Sequence, residues 1–328
     1  MLRSEAGDDA ERMAAVLAGL RAYQEAPRQP RERMPAVVGH GRASLRAFGG
    51  DGPAVVFVPS LINGPEILDL DEDRSMLRWL ARQGLRPLLV DWGSPAPNER
   101  DLDVRGHVQQ LLVPLLAGLD GPVTLVGYCL GGTMAAAAAS LIEPRALATI
   151  AAPWRFARYP DASRAAMAAL WREAAPAAQA IGLLPMDVLQ LAFWRLDPGR
   201  TLDKYAALGA VADDTAAVSR FVAVEDWANG GPPLTLGAAR ELIEDMFGTD
   251  VTGEGRWTIG GRTVEPGTLD MPLLEIVSTS DRIVPAASAA QHGERMPLSL
   301  GHIGMIVGSQ AREAVWKPLA AWLRKVGG

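Results

Sequence analysis

The chain has 328 residues, 48% of them hydrophobic, and a net charge of −6 from 32 basic and 38 acidic side chains. That is ample apolar material for one large domain or two ordinary ones, and an acidic balance without a basic tract argues against a nucleic-acid partner. A single cysteine excludes an internal disulfide framework and fits a reducing cytoplasm. Four histidines (His40, His107, His292, His302) without Cys/His ligand spacing leave no metal site to expect.

The opening stretch Met1-Leu2-Arg3-Ser4-Glu5 is too acidic and polar for a secretory signal, and no apolar run reaches the length of a membrane span. A cytoplasmic protein is the expectation. Residues 8–25 predict an amphipathic helix, since Met13, Val16, Leu17, Leu20 and Tyr23 recur at helical spacing. Pro27 to Arg31 reads as a linker, and 36–48 as a strand or hairpin ending at the turn signal Gly49-Gly50-Asp51-Gly52.

From Ala54 onward strands and helices alternate. Ala54–Pro59, Pro87–Gly93, Pro122–Val126 and Leu147–Ile150 read as buried strands. Helices fall at about 76–83, stopped by Gly84, and at about 103–118. That rhythm predicts an α/β fold with a mostly parallel central sheet and helices on both faces. After Pro153 it breaks: 154–250 carries helical patterns, 256–264 reads as a small hairpin at Gly260-Gly261, and strands resume at Pro272–Val277. The expected organisation is an N-terminal helix and linker over 1–35, a core formed by 36–153 and 265–328, and an inserted, mainly helical cap over 154–264.

Gly127-Tyr128-Cys129-Leu130-Gly131-Gly132 joins the strand ending at Val126 to a helix that opens Thr133-Met134 and runs into alanines. A nucleophile on a tight strand-to-helix turn between small residues is the nucleophile elbow of the α/β-hydrolase fold, with Cys where Ser is usual. The following helix points its N-terminal N–H groups at the sulfur. Alone, such a cysteine reads equally well as core packing. The rest of the chain decides the matter. Asp281 lies just past the strand 272–277, where open α/β sheets put their sites. His302 follows in Gly301-His302-Ile303-Gly304, ahead of a final helix over about 310–325. The order Cys129, Asp281, His302 is nucleophile, acid, base. His302 is the expected general base and then acid, and Asp281 its orienter. His40 and His107 read as structural, His107 on a surface-type helix. The oxyanion hole needs two backbone donors: the N–H of Leu130, and one from the loop Ser60–Pro65, assigned to Ile62.

With these residues in view the chain resembles the polyhydroxyalkanoate (poly-3-hydroxybutyrate) synthase family, specifically the short catalytic subunit of its two-component type. Val58-Pro59-Ser60-Leu61-Ile62-Asn63 with Ile67–Leu70, Val90-Asp91-Trp92-Gly93-Ser94-Pro95, the Cys129 box, Phe221–Trp227, Asp281–Pro285 and Gly301–Gly304 carry the resemblance, over about residues 50–325. It implies that Cys129 takes the acyl group of an (R)-3-hydroxyacyl-CoA, releasing CoA, and that His302 activates the hydroxyl that extends the polyester. Thioester exchange onto a thiol is near neutral in energy, which suits Cys as the carrier. No separate cofactor is implied, CoA being part of the substrate. The resemblance also implies a homodimer, a helical partner subunit and the surface of a polymer granule. Two other readings use the same residues: a thioesterase or depolymerase with the same triad, and a non-catalytic granule-binding or regulatory homologue, which an intact triad argues against.

Overall fold

The computed structural model describes residues 9–28, 31–196 and 198–327. Gln29 and Pro30, within the expected linker, lie outside them. The chain divides into two compact units, one of Arg33–Pro185 with Pro232–Gly328, the other joining the first helix to Met186–Gly231. This division falls elsewhere than the 154–264 insertion read from the sequence. The first helix belongs with 186–231, and the remainder of the insertion belongs with the sheet.

The larger unit is built on eight strands: β1 (Ala36–His40), β2 (Ala43–Ala47), β3 (Ala54–Val58), β4 (Arg86–Asp91), β5 (Thr124–Tyr128), β6 (Ala146–Ile150), β7 (Leu273–Ser278) and β8 (Glu294–Leu298). Their spatial order is β1-β2-β4-β3-β5-β6-β7-β8. β1 and β2 form an antiparallel hairpin, β2 pairs antiparallel with β4, and every other pairing is parallel. Every residue of β3, β5 and β7 is buried. Strands buried along their whole length are what a parallel sheet covered by helices on both faces requires.

The expected hairpin forms, with Thr258–Ile259 paired to Arg262–Thr263 through Gly260 and Gly261 at φ 56° and 76°. β8 was not legible in the sequence. Glu-Arg-Met-Pro-Leu is charged and holds a proline, and only an edge strand tolerates that composition. A short antiparallel pair, Leu183–Leu184 with Leu234–Thr235, also lies within the stretch read as wholly helical.

In the smaller unit the helix Ala10–Glu25 starts at Asp9, whose carboxylate accepts the N–H of Arg12 at 2.9 Å. It packs on the helices Pro198–Gly209 and Thr215–Asn229 around Val16, Leu202, Tyr205, Leu208, Val218 and Val222. The approach is backbone to backbone. A Cβ on Gly19 would stand 1.8 Å from the Tyr205 carbonyl oxygen, and one on Gly209 would stand 2.3 Å from that of Ala15. The carboxylate of Glu225, itself buried, is satisfied by Lys204 Nζ at 2.6 Å, the Tyr205 hydroxyl at 2.9 Å and Asn229 Nδ2 at 3.1 Å. Among the described residues no helix is long and apolar enough to cross a membrane.

Candidate active site

Three strand ends of the larger unit bring the expected residues together. β5 ends at Tyr128, and the helix Leu130–Ile142 begins two residues later, leaving Cys129 alone in the turn. Its φ of 55° and ψ of −133° lie where L-residues are seldom found. The turn is held from both sides: the Cys129 N–H donates to Ile150 O at 2.9 Å, and the Gly132 N–H donates to Cys129 O at 2.8 Å. Glycine is required just beyond. A Cβ on Gly131 would lie 2.1 Å from Val58 O and 2.5 Å from Pro59 O, so the first turn of the elbow helix rests directly on the end of β3. Ala135 to Ala139 are buried behind it.

Asp281 follows β7 and is buried. Its Oδ1 accepts the N–H groups of Ile283 at 2.8 Å and Val284 at 3.0 Å, which fixes the carboxylate plane. Its Oδ2 accepts from His302 Nδ1 at 2.6 Å. The proton on Nδ1 leaves Nε2 for the nucleophile, and the charge of Cys129 acts on the same imidazole. Burial works against a charged His302, but the Cys129 charge and the hydrogen bond to Asp281 outweigh it, and its pKa is pushed up to about 10.

Two tyrosines that the sequence reading did not single out complete the surroundings. The Tyr128 ring stacks on His302 with centroids 5.0 Å apart and planes at 28°, and its hydroxyl donates to His302 O at 3.3 Å. Burial and the charges of Cys129 and Asp281 hold its phenol well above the ordinary range. Tyr159 is raised in the same way, burial first and then the Cys129 charge. It belongs to an aromatic trio with Phe156 and Phe247, centroids 4.9–5.7 Å apart. The residue beside the nucleophile, x in Gly-x-Cys, is the one sequence signal that could have drawn attention to Tyr128.

The oxyanion donors divide. Leu130 is the first residue of the elbow helix, so its N–H has no partner within that helix. The expected second donor does not stand: the Ile62 N–H donates to Ser60 Oγ at 3.0 Å and is already engaged. One residue earlier, Leu61 is buried and its N–H donates to no group among the described residues. His107 is also corrected, since it is buried rather than on a surface. Its Nδ1 donates to Asp103 O at 2.7 Å, its Nε2 faces Arg42 at 2.7 Å, and burial lowers its pKa to about 4.

The model of the Alpha/beta hydrolase family matches residues 55–316. Among solved structures, an alpha/beta hydrolase fold protein from Nakamurella multipartita covers 90% of this chain and 100% of its own (TM-score 0.50, 20% identity). A monoacylglycerol lipase of Paleococcus ferrophilus covers 87% and 99% (TM-score 0.52, 14% identity). At these identities they speak for the fold alone. Among curated proteins, the poly(3-hydroxyalkanoate) polymerase subunit PhaC of Synechocystis sp. is 29% identical over 82% of this chain and 77% of its own length. That of Allochromatium vinosum is 28% identical over 83% and 80%. That of Haloferax mediterranei is 27% identical over 82% of this chain, which spans 58% of the relative. The curated relatives are thus poly(3-hydroxyalkanoate) polymerase subunits at 27–29% identity, and the chain belongs to the alpha/beta hydrolase family.

Proposed function

We propose that this protein is an acyltransferase that loads the acyl group of an (R)-3-hydroxyacyl-CoA onto Cys129 and passes it to a hydroxyl, building a polyester. The observation that carries the reading is Cys129 at a positive φ on the elbow, together with a buried His302 whose Nδ1 is fixed by Asp281 and whose charge state Cys129 influences. The PhaC relatives are named for poly(3-hydroxyalkanoate), and a 3-hydroxyacyl-CoA is the thioester that would supply its units.

The steps follow from that geometry. The Cys129 sulfur attacks the thioester carbonyl, and the N–H groups of Leu130 and Leu61 receive the oxyanion. The bond to the CoA sulfur breaks, and the His302 imidazolium protonates the leaving thiolate. Neutral His302 then takes the proton of an incoming 3-hydroxyl as its oxygen attacks the acyl-enzyme. The ester C–O bond forms, the bond to Cys129 breaks, and the imidazolium is restored. Asp281 keeps the Nδ1–H tautomer throughout. CoA enters with the substrate, so no separate cofactor is needed. A helical partner subunit, self-association and work at a polymer granule surface belong to the same proposal.

The test is CoA release from (R)-3-hydroxybutyryl-CoA by the purified chain, with and without a helical partner subunit, alongside turbidity and product analysis. Polyester that is lost in Cys129→Ala supports the proposal. Free 3-hydroxybutyrate as the sole product would mean that water is the acceptor and the protein a thioesterase.

A further inference from the structure

We infer that Trp92 is a positioning residue for acyl transfer at Cys129, its indole N–H fixing the Pro59 carbonyl and with it the turn that presents the Leu61 N–H. The inference rests on the acyl-transfer reading above. Trp92 directly follows β4, which lies parallel beside β3 in the sheet, and it is buried. Its Nε1–H donates to Pro59 O at 3.1 Å. On the other side, the first turn of the elbow helix approaches the same carbonyl so closely that only glycine fits at 131. Pro59 is thus held between the indole and the helix that begins at Leu130.

The next residues show what that hold sets. The Ser60 hydroxyl engages the Ile62 N–H, closing a turn, and Leu61 between them keeps an unspent N–H although the residue is buried. The Leu61 N–H makes no bond within the described residues and lies in the loop that follows β3, on whose end the elbow helix rests, so the reacting oxygen is the partner it is free to take. Trp92 is held at both its backbone and its ring. Arg42 donates to the Trp92 carbonyl. The same guanidinium pairs with Glu99 at 3.0 Å and meets His107 Nε2 at 2.7 Å. The His107 ring stands edge-on to the indole at 6.0 Å and 81°.

The experiment compares two reactions of the same sulfur in the full chain. Acylation by (R)-3-hydroxybutyryl-CoA passes through an oxyanion and depends on the donors. Alkylation by iodoacetamide is a displacement at carbon and does not. Trp92→Phe keeps the ring and removes the N–H. Because a displaced oxyanion donor costs roughly 10- to 100-fold, its acylation rate should fall by that factor, with KM and the alkylation rate within about twofold of wild type. Arg42→Met, which frees the Trp92 carbonyl, should reproduce the split in weaker form and serves if the Phe variant does not fold. Unchanged acylation, or acylation and alkylation falling together, would overturn the inference. Wild-type protein that is alkylated but never acylated would instead remove the acyl-transfer reading, and this inference with it.

Discussion

Asp281→Asn tests the assigned chemistry at the atom where it is most constrained. One carboxylate oxygen accepts two backbone N–H groups, at 2.8 and 3.0 Å, and the other accepts His302 Nδ1 at 2.6 Å. An asparagine has one oxygen for these two places. If it stays with Ile283 and Val284, the amide NH2 faces the imidazole and forces the lone pair onto Nδ1 and the proton onto Nε2, toward the sulfur. The base then holds its proton at the wrong nitrogen. Loss of the correct tautomer in such triads costs up to about 10⁴ in kcat, and a fall of 10²- to 10⁴-fold is expected here. If the oxygen turns to His302 instead, two buried N–H groups face a donor, and the chain loses about 1–3 kcal/mol of stability. Single-turnover CoA release, read beside urea denaturation, separates the two. Turnover within threefold of wild type at unchanged stability would refute the assignment of Asp281 as the orienter.

Other consequences follow from the same contacts. Cys129→Ala removes the sulfur charge that supports the His302 imidazolium; imidazole titration by NMR should find its pKa well below the wild type's value of about 10, and an unchanged value would separate the two residues. His107 should confer acid lability. Its ordinary pKa of 6.5 is lowered to about 4 by burial, so the unfolded chain binds the proton first. Stability is then intact above 6.5 and drains as pH falls toward 4, by about 3 kcal/mol in all. Urea midpoints of His107→Gln should lack this part of the acid limb, and parallel curves for the two proteins would refute it. Gly131→Ala should cost about 1–3 kcal/mol or more, because its Cβ meets backbone oxygens. Gly301→Ala, with nothing within 4 Å of a Cβ, should stay within about 0.5 kcal/mol, measured in the same denaturation series.

Much of the site was legible in the sequence because its parts are local. A buried strand, a glycine-flanked cysteine and a run of alanines can make only a tight elbow against a sheet. Asp281 was readable from its place after the strand-like segment 272–277, and His302 from its glycine-flanked loop ahead of the final helix. What escaped the sequence depends on contacts between distant segments. Ile62 was assigned as a donor because hydroxyl capture by Ser60, two residues away, cannot be distinguished from other turn geometries in advance. His107 was placed on a surface because its partners, Arg42 and Trp92, come from other elements. β8 carries the composition of a loop and becomes a strand only because β7 offers it an edge. The first helix was read as a separate appendage, whereas it shares a core with helices some 190 residues later in the chain (Arg12 meets Asp203 across 191 positions) through small residues such as Gly19 that carry no hydrophobic signal.

The central claim is that Cys129 carries the acyl group. Rapid mixing of the full chain with (R)-3-hydroxybutyryl-CoA, acid quench and intact-mass analysis with peptide mapping tests it directly. The account predicts a hydroxyacyl adduct on the peptide containing Cys129, formed together with the first equivalent of CoA and absent in Cys129→Ala. CoA released at an undiminished rate by Cys129→Ala, or an adduct mapped to another residue, would contradict it.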